Sequence, residues 1–200
     1  MGRGSTGRKG GVVKNSESEP NMRVLKPSRK RVHVGDVFAM QMADEGFVFG
    51  RVVSTDARWS TFEEVPGMYL VYVYAGVSPE KKVLDRALMS VDNLLLPPEI
   101  INRLGWSRGY METIANVPFE EGELLSPHCF YDSVFDKYVD EFAQTLPGPV
   151  GPERAIGSMG LGNYRVLDDL ISEALGIPLA PDLCALLRVS CVRLSGRAVM

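Results

Sequence analysis

An α+β fold, mainly antiparallel β-sheet or a partly open barrel with one or two C-terminal helices, is predicted by three observations. Segments 34–42 and 47–54 alternate side chains with a period of two and are joined by a short polar break, Ala43-Asp44-Glu45-Gly46. Segment 68–75 carries Tyr69, Tyr72 and Tyr74 among β-branched neighbours, the composition of a pleated, half-buried surface. Towards the C-terminus, Leu167, Leu170, Ile171, Ala174 and Leu175 recur at helical spacing opposite Asp168, Asp169 and Glu173.

Residues 1–31 are poor in apolar side chains and rich in Gly, Ser and charge, so they read as a disordered basic leader. The run Gly2 to Lys9 falls short of a phosphate-binding loop, because Arg8 and Lys9 stand where Lys and a hydroxyl residue are needed and no strand precedes it. The basic run Lys26 to Arg31 has the composition to grip phosphates, and translation from Met22 would leave most of the leader unmade. Residues 32–145 read as the β-rich domain. In its first strand Phe38 and Met40 take one face and Val37 and Ala39 the other, so cover on both sides is expected. Gly50 in the second strand marks a bulge or a close backbone approach. Three strands in this order favour an antiparallel meander.

Beyond a loop at Ser78-Pro79, residues 87–96 read as a strand ending at Pro97-Pro98, Glu99 to Leu104 as a single helical turn, and Gly105 to Phe119 as another strand. Residues 128–142 fit either a strand turning into a helix or one amphipathic helix. Residues 146–163, broken by Pro and Gly, read as a loop or linker, and 164–200 as a helical segment. There, Asn163 is placed to cap a helix over Tyr164 to Leu175, which Gly176 and Pro178 stop. Pro181 to Val192 is a candidate second helix, with Asp182 early and Arg188 late.

Composition narrows the function. No run approaches the ~18 apolar residues of a membrane span. Three cysteines without C-x-x-C spacing argue against a disulfide framework or a zinc site and make a reducing cytoplasm the default. The net charge of −3 divides into +7 for residues 1–31 and −10 for residues 32–200. An acidic body repels nucleic-acid phosphates and attracts basic partners.

Catalytic, cofactor-binding and metal-binding residues are all expected to be none. His33 and His128 lack a second ligand at helical or hairpin spacing. Cys129 beside His128 is the nearest approach to a nucleophile–base pair, but neighbours on a strand point to opposite faces. The acidic clusters, ordinarily solvated loop tips, also suit a contact surface for a basic partner. Asp44, Glu45, Glu63, Glu64, Glu120, Glu121 and Glu123, with Trp59 as an aromatic anchor, are the candidate contact residues.

Three segments carry a resemblance: Val34-Gly35-Asp36-Val37-Phe38-Ala39-Met40, then Phe47-Val48-Phe49-Gly50-Arg51-Val52, then Leu95 to Pro98, Asn102 and Trp106 through Phe119. Together they resemble the immunity protein 26 family of bacterial polymorphic toxin systems over roughly residues 32 to 135. The resemblance implies a non-enzymatic cytoplasmic antidote that binds and neutralises a cognate toxin domain, with no catalytic residue to transfer and no cofactor. Gly35, Asp36, Phe38, Gly50, Arg51, Trp106, Gly109 and Tyr110 then serve the scaffold. Asp36 is expected to cap a turn or to pair with Arg51. The rival readings are a small β-barrel module for nucleic acid or peptide, and an enzyme built around carboxylates and Cys129.

Overall fold

A computed structural model describes residues 19–59 and 67–180. Pro20 to Leu179 make one compact unit, and only that unit is treated below. Its centre is a curled, six-stranded antiparallel sheet. The strands are β1 (Met22–Arg23), β2 (Asp36–Met42), β3 (Gly46–Ala57), β4 (Met68–Val73), β5 (Glu99–Ile101) and β6 (Glu112–Asn116). The order runs β1-β2-β3-β4-β5, and β6 also pairs with β2. β3 takes one edge of β2, so β1 and β6 share the other, end to end: β6 lies beside Asp36–Ala39 and β1 beside Gln41 and Met42. Irregular pairing near Ser54 bends the long strand β3 as it runs along β4.

The alternation expected of β2 to β4 decides what lies on each face. Phe38, Met40, Met42, Val48, Val52, Val71 and Val73 point one way. They are covered by α1 (Leu104–Arg108) and α2 (Tyr164–Leu175) through Trp106, Leu167 and Ile171. Val37, Val53, Leu70, Tyr72 and Tyr74 point the other way, with Phe130 and Val139 against them. Those two belong to a second sheet of order β8-β7-β9, made of β7 (Cys129–Asp132), β8 (Lys137–Val139) and β9 (Ile156–Ser158). β2 is apolar on both faces because it is covered on both.

Gly50 lies where the Phe38 ring crosses β3. A Cβ there would stand 2.6 Å from the Tyr72 carbonyl oxygen and would also strike that ring, so only glycine fits. α2 has the bounds read from its apolar stripe. Asn163 accepts a hydrogen bond from the Arg165 amide at 2.7 Å, and Gly176 ends the helix in the left-handed region at φ 71°.

Several expectations are corrected. Residues 20–31 are part of the fold. Met22 is buried in the main core, and its amide and that of Asn21 donate to the Asp168 carboxylate at 2.6 and 2.9 Å. Farther on, the Leu25 amide donates to Gly109 O and the Ser28 amide to Trp106 O, which straps the segment across α1. Residues 87–96 form two single-turn 3-10 segments, Arg86–Leu88 and Val91–Asn93, instead of a strand. Short-range backbone bonds close each turn (Leu88 N–H to Asp85 O, Asn93 N–H to Ser90 O), and side chains add to them: Asp85 caps the first, and Asn93 donates to Ala75 O and Leu88 O. The helical turn expected at 99–104 is β5, and the strand expected at 105–119 is α1 followed by β6. Residues 128–142 are a β-hairpin with no helix, because Asp132 Oδ1 accepts from the amides of Val134 and Phe135 and turns the chain. The supposed linker 146–163 contains β9, which pairs in parallel with β7. The possible helix at 181–192 lies outside the described residues.

Candidate functional site

The side chain at the centre of the second sheet face is a cation. Arg51 is paired with Val37 across the β2–β3 ladder and shares its face, which leaves its side chain 0% exposed. An unpaired guanidinium there would be costly, and its partners account for it. Nε and Nη2 donate to the Val117 carbonyl at 3.1 and 2.7 Å, Nη1 lies 3.1 Å from Glu123 Oε2, and the Phe119 ring covers the guanidinium at 3.6 Å. Arg86, from the first 3-10 segment, grips the same carboxylate at 2.7 Å, pairs with Glu120 at 3.0 Å, and donates to Pro118 O.

Residues 117–123 are thus held by two arginines from different parts of the chain. The loop also closes on itself: the Glu120 amide donates to Glu123 Oε2 and the Glu123 amide to Glu120 O. Burial pushes the Glu123 carboxyl up, but the Glu120 amide, Arg86 and Arg51 together hold it below its ordinary value. Glu120 and Glu121, one and two residues beyond Phe119, are exposed. The loop therefore presents two carboxylates on a rigid base.

Asp36 takes the first of its two expected roles. It accepts from the His33 amide at 2.9 Å and from Asn116 Nδ2 at 2.8 Å, closing the turn that enters β2. Pairing with Arg51 does not occur, because Val37 shares the Arg51 face and Asp36, its neighbour, points to the other. Gly35 links two strands, its amide donating to Val52 O and its carbonyl accepting from the Val117 amide. Tyr110 stacks on Tyr164 at 4.3 Å and joins the end of α1 to α2. Gly109 caps α1 at φ 87° and lies so close to Pro27 that a Cβ would stand 2.7 Å from the proline nitrogen.

The other candidate contact residues scatter. Asp44 and Glu45 are exposed in the β2–β3 turn, and Asp44 pairs with Arg23 at 3.1 Å. That turn and the 117–123 loop lie at opposite ends of β2, a separation on the order of 20 Å for seven residues of strand. They form two sites. Trp59 is half-buried against the Arg51 face of the sheet. Glu123 is turned towards Arg51, and its side chain is 13% exposed. Glu63 and Glu64 lie outside the described residues. Reading from sequence missed Arg86, which has no apolar period or motif to distinguish it and is recognised only by the carboxylates it holds.

His128 and Cys129 are committed to separate neighbours. Tyr72 OH lies 2.7 Å from His128 Nε2 and accepts from the Leu125 amide, while His128 Nδ1 stands 3.1 Å from Glu141 Oε1. Cys129 Sγ accepts from the Val150 amide at 3.4 Å. Burial raises the Tyr72 hydroxyl far above its ordinary value and pushes Tyr74 up to about 12 against the lowering pull of Arg51. Burial pushes the Glu141 carboxyl up, but its hydrogen bonds to His128 and to backbone, with the charge of His128, together hold it below its ordinary value. Among the described residues, no group of three or more His, Cys, Asp or Glu is arranged to hold a metal ion. No helix among them is long and apolar enough to cross a membrane.

Glu99 gives a stability test. In β5, opposite Val71, burial pushes its carboxyl from 4.5 up to about 8. Ionisation is penalised only in the folded state. The Glu99 contribution to stability is therefore full below pH 4.5 and declines as pH rises towards about 8. Glu99→Gln is expected to flatten that decline, seen as a melting temperature that changes less than the parent's over the same interval.

No curated protein matches this chain, and no solved structure does. The model of the family described as immunity protein 26 matches residues 33–139, more than half of the 200 residues. The matched range opens at the turn closed by Asp36, includes β2 to β6 with Arg51, Trp106 and the 117–123 loop, and closes at the end of β8. On that match, the chain belongs to the immunity protein 26 family.

Proposed function

We propose that this protein is a cytoplasmic immunity protein that binds a cognate toxin domain and neutralises it by covering it, without catalysis and without a cofactor. Family membership supports the class. The observation that carries the proposed contact surface is the loop 117–123, whose base is fixed by Arg51 and Arg86 and whose tip exposes Glu120 and Glu121. A contact surface ordered before binding loses little conformational entropy on association, and exposed carboxylates steer a basic partner into it. Asp44 and Glu45, at the far end of β2, form a second acidic site. Trp59, half-buried, is a further candidate contact residue, and Glu63 and Glu64 are candidates on sequence alone.

The test is co-expression with the toxin domain encoded beside this chain, read as cell survival and as recovery of a complex. Survival with a complex of equal proportions is expected, and a toxin that still kills and does not co-purify overturns the reading. Glu121→Lys is expected to weaken the complex by about tenfold or more, with a slower association rate at low salt. Asp44→Lys, at the other end of β2, provides the comparison. A larger loss from Asp44→Lys would move the contact surface to the β2–β3 turn.

A further inference from the structure

The strap over α1 carries the opposite charge to the loop. Lys26, Arg29, Lys30 and Arg31 are all exposed, and among the described residues none of their side chains makes a hydrogen bond or an ion pair. Residues 26–33 line a groove of about 690 Å³ together with Asp36, Trp106, Glu112 and Thr113. Its two carboxylates are already engaged: Asp36 by the His33 amide and Asn116, Glu112 by Lys81 at 2.7 Å. The lining is therefore cationic, and four unpaired cations dominate it.

The polar groups of the groove await acceptors. The backbone N–H groups of Lys26, Arg29, Arg31 and Val32 make no hydrogen bond within the described residues. Trp106 is 1% exposed, and its indole N–H has no acceptor among the described residues. A buried donor without a partner is uncommon and needs an explanation. Pro27 and Val32 add apolar surface, and the strap is fixed in place by its bonds to Trp106 O and Gly109 O and by that of Arg103 to Lys30 O.

We propose that this groove is a second binding face, separate from the acidic loop, that receives an extended acidic segment of a partner polypeptide. Carboxylates of that segment meet the strap cations, and its backbone carbonyls accept from those strap N–H groups that face the groove. A single-stranded nucleic acid is less well served. Its bases need an exposed aromatic platform, and the Trp106 ring is buried. Residues 26–32 lie before the range matched by the family model, whereas Asp36, Trp106, Glu112 and Thr113 on the other side of the groove lie within it.

The test uses the full chain carrying Trp59→Phe, which leaves Trp106 as its one tryptophan. The probe is a labelled peptide of about ten residues alternating Glu and Ala, long enough to follow a strap of this length. Saturable anisotropy is expected, weakening with added salt, with a parallel change in Trp106 emission. Arg29→Glu with Arg31→Glu is expected to lower the affinity by about tenfold or more while thermal melting stays unchanged. No saturable binding at low salt overturns the proposal, as does binding without a change at Trp106 or binding that survives the double charge reversal. Tighter binding of an oligothymidylate of similar length, lost in the same variant, would overturn it by assigning the groove to nucleic acid. None of these readings depends on the toxin, so failure here leaves the neutralisation test untouched.

Discussion

Replacing Glu123 with alanine is expected to destabilise the fold by about 3–5 kcal/mol, the usual consequence of leaving a buried charge without its counter-charge. The charge in question is Arg51, fully buried on the second sheet face. Without Glu123 it would retain Val117 O and the Phe119 ring, neither of which is an anion. Arg86 would lose a partner too, but its side chain is 36% exposed and water can take up its charge. Urea unfolding at neutral pH measures the loss. Arg51→Met combined with Glu123→Leu is expected to recover part of it, since an apolar pair avoids both desolvation penalties. A loss below about 1 kcal/mol for Glu123→Ala would mean that the pair is solvated in the manner of a surface bridge. The pH dependence has a definite sign. The folded-state value of Glu123 lies below the ordinary 4.5, so its contribution is present above that pH and is lost as pH falls through the lower folded value. Parent protein is expected to lose this component in acid, and Glu123→Ala to lack it at every pH.

Glu123 also shows where sequence reading ends. The string Glu120-Glu121-x-Glu123 is uniformly acidic, and nothing local separates the two carboxylates that face solvent from the one that faces Arg51, 72 residues away. Strands β2 to β4 and helix α2 were legible because each buries a continuous face, and burial writes its period into the chain. The short elements had no such record. α1 is five residues long, less than two turns, so its apolar positions never repeat. In the β7–β8 hairpin, Phe130, Tyr131, Val134, Phe135 and Tyr138 fall at a helix-like spacing. The turn between them uses Asp136 at φ 51° where a glycine would have marked it. The strap over 20–31 was misread for the opposite reason. Its composition is that of an unfolded chain, and what fixes it is distant in sequence: buried Met22, the Asp168 carboxylate 146 residues away, and the carbonyls of Trp106 and Gly109.

Trp106→Ala tests the same non-local dependence from the other side of the sheet, with an expected cost of about 3–5 kcal/mol for removing a fully buried tryptophan. The ring meets the Phe38 edge at 5.3 Å and Tyr69 at 5.4 Å, and α1 has too few residues to stand without that packing. The damage should therefore spread beyond the cavity. Helix α1 supplies the carbonyls of Trp106 and Gly109 that accept from Ser28 and Leu25, so a loosened helix releases the strap. Native-state hydrogen exchange is expected to show the amides of Leu25 and Ser28 losing protection together with α1, while those of β3 and β4 lose only what global stability dictates. Trp106→Phe keeps an aromatic ring against Phe38 and is expected to cost less and to leave the strap protected. If both variants lost the same stability with the strap intact, α1 and the strap would be held by their own hydrogen bonds, and the placing of the basic groove would not depend on the core beneath it.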